Sequence, residues 1–127
     1  ASDVTFFGGV TIPAGEVGKI ISTEGYSGGV ATFGDQICYS QGANANGNSY
    51  AHNVICVNRS TGLTTLRVGR ISASTAKAGT AHFDEEEGVI ASSATLSAPW
   101  GVTFDSEGNL YISSHTAHNI RMVRRWF

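Results

Sequence analysis

The sequence predicts an all-β fold of short antiparallel strands. Three observations carry that expectation. The 127 residues include 16 Gly, only 2 Pro and 14% charged side chains, a composition that favours turns and pleated strands over helices. Val, Ile, Phe, Tyr and Thr fall in short runs bounded by Gly, Asn, Asp and Ser, the pattern of strands and tight turns. No segment shows the 3.6-residue apolar period of an amphipathic helix.

The elements follow in order. Val4-Thr5-Phe6-Phe7-Gly8-Gly9 reads as a first strand, within residues 3–9. Gly29-Val30-Ala31-Thr32-Phe33 is the next, turned by Gly34-Asp35-Gln36 into Ile37-Cys38-Tyr39-Ser40. An Asn/Gly-rich insert, Gly42 to Asn48, separates it from Ala51-His52-Asn53-Val54-Ile55-Cys56-Val57. Asn58-Arg59-Ser60-Thr61-Gly62 turns the chain into Leu63 to Gly69. A linker at 70–98 leads to the last unit, 99–124. There Gly101-Val102-Thr103-Phe104, the dense turn Asp105 to Asn109, Leu110-Tyr111-Ile112-Ser113, a polar turn at His115–Asn119 and Ile120-Arg121-Met122-Val123 make a three-stranded meander.

The two units repeat. Gly29 matches Gly101 at an offset of 72 residues, and Ala51-His52-Asn53 matches Ala117-His118-Asn119 at an offset of 66. With strands labelled a to d, the chain reads d, a-b-c-d, a-b-c. Strands b and c are expected to be buried on both faces, which makes Ile37, Tyr39, Val54, Cys56, Leu110, Ile112, Ile120 and Met122 the expected core.

The stretch Ala98-Pro99-Trp100-Gly101-Val102-Thr103-Phe104-Asp105-Ser106-Glu107-Gly108-Asn109-Leu110-Tyr111-Ile112, continuing through His118-Asn119-Ile120-Arg121-Met122-Val123, resembles the NHL repeat. The order His-Asn departs from that family's Asn-His, and Ser113-Ser114 replaces its Ala-Asp. Asn58 to Thr65 and Ala94-Thr95-Leu96-Ser97-Ala98-Pro99 are similar to the family's turn into strand d and its approach to strand a. The resemblance implies four-stranded blades of a β-propeller. One blade occupies 29–69 and a partial blade 99–124. The strand at 3–9 would complete the partial blade by strand exchange, in its own or a neighbouring chain.

Two blades do not close a propeller ring, which takes four to eight. The expectation is therefore that the chain belongs to a longer propeller, closes a ring with other copies, or stacks into a fibre. Val4, Phe6, Phe7, Ile120, Met122, Trp126 and Phe127 are the expected assembly contacts. An exposed Trp-Phe tail is costly, so it should dock on a neighbouring blade or subunit.

Little points to chemistry. No nucleophile elbow, phosphate loop or paired Cys-x-x-Cys is present, so no catalytic, cofactor-binding or metal-binding residues are assigned and the chain reads as non-enzymatic. His52 and His118 sit at equivalent repeat positions, which suits a turn role. His82 and His115 have no ligand pattern around them, and Asp84-Glu85-Glu86-Glu87 reads as a solvated acidic loop. The resemblance leaves one alternative, a fragment of a propeller enzyme of the amidating-lyase or lactonase kind, and another in a sensor ectodomain.

The net charge of −2 gives no footprint for nucleic acid, and no apolar run is long enough for a membrane span. Cys38 and Cys56, on neighbouring strands, read either as a bridge or as two buried thiols. Asn58-Arg59-Ser60 is an N-glycosylation triplet. The chain opens Ala1-Ser2-Asp3 without an initiator Met, as a processed or partial product does. These features together lean to a secreted, extracellular setting, with the chain itself as the expected partner and protein or glycan as a further one.

Overall fold

The structure, a computed structural model, describes residues 4–6, 9–23, 27–41, 52–69, 91, 96, 99–114 and 119–127. These residues form nine β-strands and no α-helix. β1 (Val4–Phe6) and β2 (Val10–Ile12) make a two-stranded sheet. β3 (Val30–Phe33), β4 (Gln36–Gln41), β5 (Asn53–Asn58) and β6 (Thr64–Val68) make a four-stranded sheet in sequential order. β7 (Pro99–Phe104), β8 (Leu110–Ser114) and β9 (Asn119–Val123) make a three-stranded one. All pairings are antiparallel, as expected for meanders joined by tight turns. Gly34, with φ of 57°, occupies the left-handed region that the turn between β3 and β4 needs.

The repeat is physical. Ile37 pairs with Val57, Cys38 with Cys56 and Ser40 with Val54 in the first sheet. Leu110 pairs with Val123, Tyr111 with Met122 and Ser113 with Ile120 in the second. These are the same register at equivalent positions.

A strand shows alternate side chains to opposite faces. One face of the four-stranded sheet carries Cys38, Val54, Cys56 and Val68, all buried in the main core with Leu96. Against it lie Leu110 and Ile112 of the three-stranded sheet, with Val102, Phe104 and Val123 partly buried beside them. This is sheet-on-sheet packing, with inner faces supplying one apolar layer. The opposite face of the four-stranded sheet carries Ile37, Tyr39, Ile55 and Val57, also buried, with Ile20 packed on them. Every residue of β4 is consequently buried, as a strand covered on both faces requires.

The seam between the two sheets is closed by Ser40. Its hydroxyl accepts from the Gly28 and Gly29 amides at 3.1 and 3.2 Å and donates to the Trp100 carbonyl at 2.6 Å. A Cβ on Gly28 would stand 2.7 Å from the Trp100 ring and 2.8 Å from its carbonyl, so this approach demands glycine.

The C-terminal segment seals one end of the same seam. The Phe33 and Phe104 rings, one from each sheet, lie 5.6 Å apart. Trp126 stacks on Phe104 at 6.0 Å, and Phe127 meets Phe33 at 5.8 Å. The Arg125 guanidinium sits 4.5 Å from the Phe127 ring centre, a cation–π distance, while the Arg125 amide donates to Asn109 Oδ1 at 2.9 Å.

Two expectations need correction, and a third is met. Ile120 and Met122 do not enter a core within the chain. They are 67% and 48% exposed, and among the described residues no sheet covers their face. Trp126 and Phe127 dock on the chain's own two sheets, where Phe33 and Phe104 offer a complementary aromatic surface. The tail thus docks on the neighbouring sheet, as its cost in water led one to expect, with Phe127 still 39% exposed. The N-terminal strand does not complete the three-stranded sheet of its own chain. Val4 pairs with Ile12 and Phe6 with Val10 instead. A hairpin this local closes a short loop, at less entropic cost than pairing with a strand over a hundred residues away. Phe7 lies outside the described residues, as do most of the linker at 70–98, the insert at 42–48, His82, His115, His118 and residues 84–87. The two described linker positions are integral to the fold: Leu96 is in the core, and the Ala91 carbonyl accepts from the Gly69 amide at 3.0 Å.

Candidate assembly surface

The outer face of the three-stranded sheet is built from alternate residues of its strands. Thr103 pairs with Tyr111, Tyr111 with Met122, and Ser113 with Ile120, so all five side chains share that face. A shallow groove of about 280 Å³ runs across it, floored by Gly101, Thr103, Tyr111, Ser113 and Ile120. Among the described residues no strand lies beyond β9, which is the edge of its sheet.

The turn between β7 and β8 holds this face in shape. Asp105 Oδ1 accepts from the Glu107 and Asn109 amides at 2.9 and 3.0 Å. Asp105 Oδ2 accepts from Asn109 Nδ2 at 3.0 Å and from the Tyr111 hydroxyl at 2.9 Å. The Asn109 side-chain bond, reinforced by the others, holds the Asp105 carboxyl at about 2. Donation to Asp105 in turn pushes the Tyr111 phenol up. The tyrosine is thus tethered at its hydroxyl while its ring lies on the open face.

Ser113 repeats the position of Ser40 with different partners. It accepts from the Gly101 amide at 2.8 Å and points its donor back to the Gly101 carbonyl at 3.4 Å, a long contact. The Ser40 hydroxyl bonds across to another sheet; the Ser113 hydroxyl bonds within its own.

The remaining candidates lie elsewhere. Cys38 and Cys56 form a disulfide across β4 and β5, fully buried, with Cα atoms 4.0 Å apart. A bridge of this kind is compatible with an oxidising setting. His52, just before β5, is buried, and desolvation lowers its basicity, which favours the neutral ring. Asn58 Oδ1 accepts from the Ser60 and Thr61 amides at 2.9 and 3.0 Å, shaping the exposed turn that carries the glycosylation triplet. Val4 and Phe6 belong to the β1–β2 hairpin, a sheet separate from the one that carries Ile120 and Met122. Among the described residues no group of three or more His, Cys, Asp and Glu stands together as a metal site, and no helix is long and apolar enough to cross a membrane.

Sequence reasoning passed over Ser40, Gly28 and Ile20. The first had a signal: a serine closes the second strand of both repeats. No family model, curated protein or solved structure matches the chain.

Proposed function

We propose that the chain is a non-enzymatic structural and interaction module, working outside the cell, that self-assembles through complementary blade-like sheets into a ring or a fibre. One observation carries the reading. Val54 and Cys56 are fully buried, while the equivalent Ile120 and Met122 stand 67% and 48% exposed in an otherwise matching sheet. Large apolar side chains exposed together on one sheet face are a liability for a lone chain and an asset for an assembling one.

The NHL-like pattern supports the same reading, since blades of that kind are covered by neighbours on both faces. A strand added at the edge of β9, as β6 lies beside β5, completes the second unit. Val4–Phe6 of another copy is the candidate. Within a longer propeller chain the neighbouring blade fills the same place. The disulfide and the Asn58 triplet support the extracellular assignment, and a glycan at Asn58 belongs to it.

Sedimentation velocity over a range of concentrations tests the proposal. The expected result is mass that grows in steps above the 13.3 kDa monomer. A monomer at every concentration contradicts it.

A further inference from the structure

We propose that Met122 is a modification site: hydrogen peroxide oxidises its thioether on the free chain, and the sulfoxide bars that chain from the assembly. This rests on the assembly reading above and names its regulation.

Sulfur stands at one register position in both sheets. Cys56 pairs with Cys38 in the first, and Met122 pairs with Tyr111 at the equivalent rung of the second. The two cysteines are joined to each other and 0% exposed, so their sulfur is already oxidised and shielded from solvent. Met122 is 48% exposed and is the chain's single methionine. With no free thiol in the chain, a two-electron oxidant meets one ready sulfur, and it lies on the face that assembly uses.

The step balances. A lone pair on the Met122 sulfur attacks one peroxide oxygen; the S–O bond forms as the O–O bond breaks, and proton transfer releases water. Sulfur gives up two electrons and the peroxide takes them.

What changes is polarity. A thioether is a soft apolar group that a packed surface covers readily. A sulfoxide carries an acceptor oxygen that costs free energy to bury without a donor. The two nearest neighbours of Met122 in the sheet offer none. Ile120, two residues earlier on the same face, is apolar. Tyr111, across the ladder, has one hydroxyl proton, and it is committed to Asp105 Oδ2 at 2.9 Å. The new oxygen therefore holds its hydrogen bonds to water, and the face resists docking. In the monomer the same change costs little, because Met122 already meets solvent. Assembled chains shield the sulfur; a chain that dissociates in peroxide is modified and does not return.

Sedimentation velocity on the full chain tests this. Wild type is treated in dilute solution with hydrogen peroxide until mass spectrometry finds one added oxygen on Met122, then freed of peroxide and concentrated. Growth is expected to move to about thirtyfold higher concentration, while the monomer melts at the untreated temperature. Methionine sulfoxide reductases acting on both epimers restore the untreated behaviour. Met122→Leu, a swap that nearly conserves volume, grows as wild type does and keeps growing after the same treatment.

Oxidised wild type that grows at the untreated concentration overturns the switch and leaves self-assembly standing. So does growth that the reductases fail to restore, or growth of Met122→Leu that peroxide abolishes, which puts the sensitive group elsewhere. An oxidised monomer that melts well below the untreated one shows damage to the fold and overturns the switch too. Untreated wild type that stays monomeric at every concentration overturns both this proposal and the assembly reading.

Discussion

The first sheet holds Val54 and Cys56 where the second holds Ile120 and Met122, at equivalent positions in the same register, yet the first two are sealed and the second two face solvent. Local sequence does not create that difference, for all four are apolar residues on alternating strands. Neighbours do. The first sheet is packed by the second sheet on one side and has Ile20 on the other. Among the described residues the second sheet is packed on one side. A repeat unit that needs two neighbours and has one exposes the surface the missing neighbour would cover.

The largest expected contrast comes from placing a carboxylate at equivalent positions. Val54→Asp buries an unpaired charge and costs about 4 kcal/mol or more, enough to unfold most of the protein. Ile120→Asp meets water and shifts the stability of the dilute monomer by about 0.5 kcal/mol or less. Urea denaturation reads both, and equal losses would erase the distinction between the sheets.

Next comes the covalent difference. Cys38 and Cys56, 18 residues apart, occupy the pair that Tyr111 and Met122 fill in the second sheet. Replacing both cysteines by serine is expected to lower stability by about 3 kcal/mol. Met122→Ala is expected to leave the dilute monomer nearly unchanged. The two serines give a smaller contrast. Ser40→Ala strands two amides and a carbonyl in the seam, for about 2 kcal/mol, whereas Ser113→Ala costs about 1 kcal/mol or less, having no partner across a seam.

Acid separates the sheets most gently. Burial lowers the basicity of His52 in the first sheet, so the folded state binds its proton less readily than the unfolded chain does. The stability this brings is complete above 6.5 and declines as pH falls below it. Asp105 in the second sheet is held at about 2 against an ordinary 3.8, so its contribution is present above 3.8 and is lost as pH falls towards 2. Thermal melts across this range are expected to show two declines. Asp105→Asn should remove the lower one and leave the upper.

Much of this was legible in the residues. Alternating apolar positions in Leu110–Ser113 and Ile120–Val123, with Asp105–Asn109 between strands, specify a meander and its register before any packing exists. The repeat of Ala-His-Asn before β5 and β9 aligned the sheets. Exposure of Ile120 and Met122 was not legible, because an apolar side chain records that it seeks cover and not whether cover is present. The β1–β2 hairpin was also missed. Val10-Thr11-Ile12 is a three-residue run ended by Pro13, too short to announce a strand by period alone. The role of Ser40 depends on Trp100, 60 residues away in the chain, which only the packed seam brings near. The Cys38–Cys56 bridge depended on register, since a one-residue slip would have turned one thiol to the other face.

Met122 is the chain's single methionine, so its oxidation by peroxide reports on the open face without competition from another thioether. The account predicts rapid sulfoxide formation in dilute solution and progressive protection as concentration rises, in step with the growth in mass. An oxidation rate that stays constant while mass grows would place association elsewhere on the molecule and contradict the account.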